Sequence, residues 1–220
     1  MGSEPPISLH QAGLAAVPGI LSRAGGASRR DAIIPAALRL FGSRGYDATS
    51  LEQVAEAVGV RKQSLLYHFP SKEALFDACV EEFGAAVHEA LTAALDEPAE
   101  GWDRVERVIR AVFALARERP ELPQFAREAA RKSHETVQRV AIGLEPLRLR
   151  ALAHLEEGMT RGAFRRQDPG LLLFTLYTAV VGSLTEAGVV RAVAGEPTGA
   201  AALARREEEL ITFVRHALLP

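Results

Sequence analysis

The amino-acid sequence predicts an all-α protein, a three-helix N-terminal unit followed by a larger helical domain. Three observations predict it. Apolar residues recur with helical spacing along most of the 220 residues. Helix-start signals stand in front of several of those stripes, and glycine or proline interrupts the chain between them.

The first stripe is Ile34, Ala37, Leu38 and Phe41, ending at Gly45 in the stretch RLFGSRGYDATS. Pro35 inside it removes one backbone hydrogen bond and crowds the preceding turn. A late or irregular start is therefore expected, with Asp31 as the cap. Ser50 and Gln53 announce the second helix as a capping-box pair, in which the hydroxyl accepts from an early backbone N–H and the amide reaches back. From Leu51 onward, Leu51, Val54, Ala55 and Val58 fall on one face while Glu52, Gln53 and Glu56 stay in water. Gly59 ends this helix, because glycine takes the left-handed conformation that turns a chain within a few residues. Val60 then drops back into the core.

A third helix, Lys62 to Phe69, buries Leu65 and Phe69 and leaves Arg61, Lys62, Gln63, Ser64, Tyr67 and His68 on its start and outer side. Two short helices about a glycine turn are helix-turn-helix geometry. The outward side chains match duplex base edges, since Lys or Arg reads guanine and Gln reads adenine in a major groove. Thr49 and Ser50 at one helix start, Tyr67 and His68 at a helix end, and Lys72 just past Ser71 are placed to hold phosphate oxygens. Residues 1–28 read as a flexible arm without the basic opening of a signal peptide. Its end around Ser28 to Arg30 brings Arg23, Arg29 and Arg30 to a minor groove or to phosphates.

Ser71 opens a long helix, SKEALFDACVEEFGAAVHEALTAAL, with Phe76, Val80, Phe83, Val87 and Leu91 along one face. Pro98 and Gly101 in DEPAEG end it. Trp102 begins a helix carrying Val105, Val108, Ile109, Val112 and Ala116, and Pro120 with Pro123 force a break before a helix over Leu122 to Ser133. From Val137 to Gly162 the residues Val140, Leu144, Leu147, Ala151, Leu155 and Met159 keep helical period, with Pro146 marking a kink or join. Asp168 and Pro169 pair an N-cap with a first-turn proline. The helix they open, LLLFTLYTAVVGSL, is shorter than the roughly 20 apolar residues of a membrane span, so burial between subunits is expected. After AGEPTGA, Leu203, Leu210, Val214 and Ala217 line a final helix. Two such helices from each subunit make a four-helix bundle. Leu173, Tyr177, Val180, Leu184, Leu210, Val214 and Ala217 are its expected interface.

The run LRLFGSRGYDATSLEQVAEAVGVRKQSLLYHFPSKEALF closely resembles the N-terminal domain of the tetracycline-repressor (TetR) family of bacterial transcription regulators, over residues 29 to 80. The resemblance implies an all-α fold: a DNA-binding domain over residues 29–75, then a ligand-binding and dimerisation domain over residues 76–220. It also implies a homodimeric repressor that binds a palindromic operator and is released by a small molecule. By position it assigns base contacts to Lys62, Gln63 and Ser64 and backbone contacts to Thr49, Tyr67, His68 and Lys72, with Arg61 as a further candidate. Three positions depart from the family. Leu66 stands where a tyrosine is usual, Gln63 where glycine or proline is common, and Pro35 lies within the first helix.

Composition narrows the function classes. With 48% hydrophobic residues and 25% charged, the chain can bury one small core and one larger one. The net charge of −2 hides an asymmetry, because residues 1–75 carry eight Lys or Arg against six Asp or Glu and the remainder carries eighteen against twenty-two. So modest an excess favours short-site, salt-dependent binding over a nonspecific DNA coat. The single cysteine, Cys79, excludes an internal disulfide, suits a reducing cytoplasm, and its spacing places it in a core.

Trp102, Phe113, Phe125, His134, His154, Met159, Phe174 and Tyr177 are candidates to line a cavity for a partly apolar effector, although aromatics at helical spacing are most often core. No Cys/His cluster has metal-ligand spacing, and no cofactor is expected. A helical-bundle enzyme is the rival from another class, and HExxH, GxSxG and phosphate-cradling glycine motifs are all missing. A structural helical dimer that never meets DNA is the second rival.

Overall fold

A computed structural model describes residues 29–195 and 199–220, and among them all regular structure is helical. The expected arm over residues 1–28, with Arg23 and Ser28, lies outside the described residues. The first helix, α1 (Arg29–Arg44), starts earlier than expected and runs through Pro35. Asp31 sits in its first turn, where a carboxylate favours the helix dipole, and does not cap it. The reason is a balance of magnitudes. A mid-helix proline costs about 3 kcal/mol, while each of the buried Ile33, Ile34, Leu38 and Phe41 contributes about 1.5–3 kcal/mol.

Next come α2 (Leu51–Ala57) and α3 (Lys62–His68). Ser50 caps α2 as anticipated: its hydroxyl accepts from Gln53 N at 3.2 Å and the Gln53 amide accepts from Ser50 N at 2.9 Å. Gly59 has φ of +68°, and its N–H donates to Glu56 at 3.0 Å while Val60 N–H donates to Ala55 at 2.9 Å. Those two bonds satisfy the last carbonyls of α2 and form the Schellman closure that sets the angle to α3.

The 25 residues of α4 (Lys72–Asp96) begin at Ser71, whose hydroxyl accepts from Ala74 N at 3.0 Å. They run about 37 Å at ~1.5 Å per residue and join the head to the body. The body continues with α5 (Gly101–Glu118), α6 (Glu121–Lys132), α7 (His134–Gly143) and α8 (Glu145–Thr160). Pro120, Pro123 and Pro146 all fall at a cap or in a first turn, where no intrahelical N–H bond is lost. Asp168 caps α9 (Pro169–Thr185), accepting from Leu171 N at 2.8 Å. The sequence did not announce α10 (Ala187–Ala194), a short valine-bearing helix bent 93° from α9. The described chain ends with α11 (Ala200–Leu218).

Two apolar cores result. The first joins α1, α2, α3 and the start of α4, and α6 adds Leu122, Phe125 and Ala129 to it. Phe76 lies at its centre, with ring centroids 5.3 Å from Phe41, 5.0 Å from Tyr46 and 5.3 Å from Phe125. Gly42 lets the α1 backbone touch α6, since a Cβ there would lie 2.9 Å from Phe125 N. Cys79 is buried in this core as its spacing implied, and burial pushes its thiol up. The second core packs Trp102, Ile109 and Phe113 of α5 against Leu155 and Met159 of α8, Leu172 and Val180 of α9, and Val214 and Leu218 of α11. Among the described residues, no single helix is long and apolar enough to cross a membrane.

Candidate nucleic-acid interface

Burial of Leu65 and Phe69 pins α3 to the first core and decides which side it turns outward. Arg61, Lys62, Gln63 and Tyr67 are exposed, Tyr67 by 87%, while Ser64, Leu66 and His68 are half-buried. The first turn of α3 contains no acidic residue, so its positive dipole end is left uncompensated there. Lys62 forms an ion pair with Glu52 of α2, which holds the Glu52 carboxyl below its ordinary range. Exposed pairs of this kind contribute about 0–1 kcal/mol, so a phosphate or base edge can take the ammonium from Glu52.

The flanking positions divide. Thr49 is only 2% exposed, and its hydroxyl donates to Gly45 O at 2.8 Å and Leu40 O at 3.2 Å. Its side chain therefore closes the end of α1, a correction to the expected phosphate contact. Ser50 is half-buried and committed to the capping box. Lys72 is half-buried, with Nζ 4.2 Å from the Tyr46 ring centroid and donating to Asp47 O at 3.3 Å. Arg30 belongs to the first turn of α1, where its guanidinium lies 5.3 Å from the Phe69 ring centroid.

The residues expected to line an effector cavity are brought together only in part. Phe125 is in the first core, whereas Trp102, Phe113 and Met159 are in the second. The Trp102 indole donates to Glu106 at 2.7 Å, and His154 Nε2 lies 2.9 Å from Gly101 O. His134 is exposed beside Gln138, and Phe174 and Tyr177 stand 62% and 60% exposed on α9. A groove of about 560 Å³ opens elsewhere, between α4, α5 and α11. Ala90, Ala94, Ala111 and Ala114 line it, together with Arg107, Arg110, Arg117 and the buried Glu207. Alanine gives no hydrophobic-stripe signal distinct from ordinary helix filling, so the sequence hid this groove. Among the described residues, no three His, Cys, Asp or Glu side chains gather as metal ligands.

The expected interface residues also divide. Val180 and Val214 are buried in the protomer's own second core, with Leu173, Leu184 and Leu210 packed against it. Tyr177 and Ala217 are exposed. On these two helices the large apolar side chains left bare are Leu171, Phe174 and Tyr177 of α9 and Phe213 of α11, each at least 60% exposed. On α9 they follow at three-residue spacing and so share one side of the helix.

Fold and surface together define a helix-turn-helix head carried on an all-helical body. Residues 33–79 match the family model described as bacterial regulatory proteins, tetR family. Over 55 residues the chain is 49% identical to the HTH-type transcriptional regulator RutR of Escherichia coli (strain K12), covering 25% of this chain and 26% of that protein. The match thus spans about a quarter of the curated relative's length. The structure of the ketosteroid transcriptional regulator KstR2 of Mycobacterium tuberculosis superposes with a TM-score of 0.74 at 21% identity, covering 89% of this chain and 97% of that one. AibR, solved in complex with isovaleryl coenzyme A and operator DNA, gives 0.71 at 20% identity over 84% of this chain and 97% of its own. Residues 33–79 thus carry the sequence pattern of the N-terminal domain of that family, and the described fold is of tetR type.

Proposed function

We propose that this protein is a transcription regulator that binds a palindromic operator as a homodimer and is a repressor released by a small molecule. One observation carries the reading: Lys62, Gln63 and Ser64 begin a helix whose apolar side is fixed in a core and whose polar side is open. The family match over the same residues supports it. Lys62 and Gln63 take base edges, with Ser64 and Arg61 beside them, while Tyr67, His68 and Lys72 hold phosphates. Ser50 joins them through its hydroxyl proton, since in the capping box that hydroxyl only accepts.

Homodimerisation through the bare face of Leu171, Phe174, Tyr177 and Phe213 would cover apolar surface that water otherwise meets. Two heads on a two-fold axis then meet half-sites about 34 Å apart. The effector is proposed to be a partly apolar small molecule, and the groove between α4, α5 and α11 offers it a lining of alanine and guanidinium side chains. AibR binds both a ligand and operator DNA, which favours a regulator over the enzyme or the purely structural dimer.

The test is selection of duplexes from a random-sequence pool, followed by fluorescence anisotropy. A palindromic sequence should be enriched, and Lys62→Ala should lose about 1–3 kcal/mol of affinity for it with unchanged melting. A pool that stays unenriched at every salt concentration returns the question to the rivals.

A further inference from the structure

The head is fastened to α6 at a cluster that the preceding contacts leave unexplained. Tyr46 follows α1, Glu73 lies in the first turn of α4, and Glu128 and Lys132 come from α6. The buried Glu128 carboxylate accepts the Tyr46 backbone N–H at 2.6 Å and pairs with Arg131 at 2.9 Å. Lys132 Nζ donates to one Glu73 oxygen at 2.7 Å, and the Tyr46 hydroxyl donates to the other at 2.6 Å. Burial first, and then the Glu73 carboxylate, raise the Tyr46 phenol well above its ordinary value, so it remains a donor.

Lys72 precedes Glu73 in the chain, and its ammonium lies 4.2 Å from the Tyr46 ring centroid, with that of Lys132 at 4.3 Å. Glu73 is the carboxylate beside Lys72 in sequence, yet both its oxygens are engaged by Lys132 and Tyr46. A phosphate takes an ammonium more readily when no neighbouring carboxylate competes for it.

We propose that Lys132 and Tyr46 are positioning residues for the phosphate contact of Lys72: by holding Glu73 they keep its carboxylate off the neighbouring ammonium and fix the start of α4. The proposal rests on the reading that the head binds duplex DNA. It makes affinity depend on two side chains that touch no DNA, one of them in the body.

The test uses the full chain and a duplex that the wild type enriches from the random-sequence pool. Lys132→Met is expected to weaken binding about fivefold and to lower the salt slope toward that of Lys72→Ala. Lys132→Arg should restore both, and so should Glu73→Gln added to Lys132→Met, because the amide no longer competes for Lys72. In a Lys72→Ala background, Lys132→Met should add nothing. Tyr46→Phe, which keeps the ring in the core, should show the same pattern more weakly. Wild-type affinity in Lys132→Met, an undiminished further loss in the Lys72→Ala background, or no recovery with Glu73→Gln would each overturn the proposal. Failure of the wild type to enrich any duplex would instead overturn the DNA-binding reading beneath it.

Discussion

At Gly59 one backbone conformation decides where Lys62, Gln63 and Ser64 point. A Cβ there would meet nothing within 4 Å, so the site has room for a side chain and the whole constraint is its φ of +68°. Gly59→Ala is expected to cost about 1–2 kcal/mol, and Gly59→Asn less, measured by urea denaturation. Equal stability in all three would mean the turn relaxes into another form. The capping box was legible because all its atoms lie within four residues. Thr49 was not. A threonine before a helix start looks the same whether its hydroxyl faces solvent or turns back, and here the turn at Gly45 brings the Leu40 carbonyl of α1 and the Gly45 carbonyl just past it within reach.

Among elements, α6 is the one whose role the sequence concealed. The prolines marked a helix in this stretch but could not show what it packs against, so Phe125 read as a cavity residue although it completes the head's core. Conversely, the helices flanking the Gly59 turn and the long α4 were legible because caps, period and breaks agreed. The contact of α1 with α6 is close enough to test. Gly42→Ala forces a Cβ toward Phe125 N, 2.9 Å away, and should cost about 1–3 kcal/mol in thermal unfolding. An unchanged melting temperature would show that the two helices are not held in contact.

Glu128 adds a pH dependence to the same junction. Burial alone would raise its carboxyl, but the Arg131 guanidinium and the Tyr46 N–H outweigh that and hold it below the ordinary carboxylate range. A folded value below the unfolded one means that the unfolded chain binds more protons in acid. The contribution is therefore fully present above about pH 4.3 and is lost as pH falls through the lower folded value. Glu128→Gln keeps an acceptor for Tyr46 N and should unfold with a shallower loss of stability between about pH 5 and pH 3. Slopes equal to wild type would remove Glu128 from the acid response.

For the whole molecule, the bundle helices separate two effects that the sequence merged. Period placed Val180 and Tyr177 on one apolar helix without saying which side faces the protomer's own core. Val180 is buried there and Tyr177 is 60% exposed. A charge at Val180 should therefore lower the melting temperature sharply, since a buried unpaired carboxylate costs several kcal/mol. Tyr177→Asp should leave melting nearly unchanged at high dilution and yield monomers in sedimentation. Dimers surviving Tyr177→Asp with Phe174→Asp would place the subunit contact elsewhere.

The most direct measurement is hydroxyl-radical footprinting of the wild-type chain on the duplex it enriches from a random pool. Two protected half-sites related by a dyad, with centres about one helical turn or ~34 Å apart, are predicted, and both should vanish together in Lys62→Ala. A single asymmetric protected patch, or protection that persists unchanged in Lys62→Ala, would contradict a paired reading head built on α3.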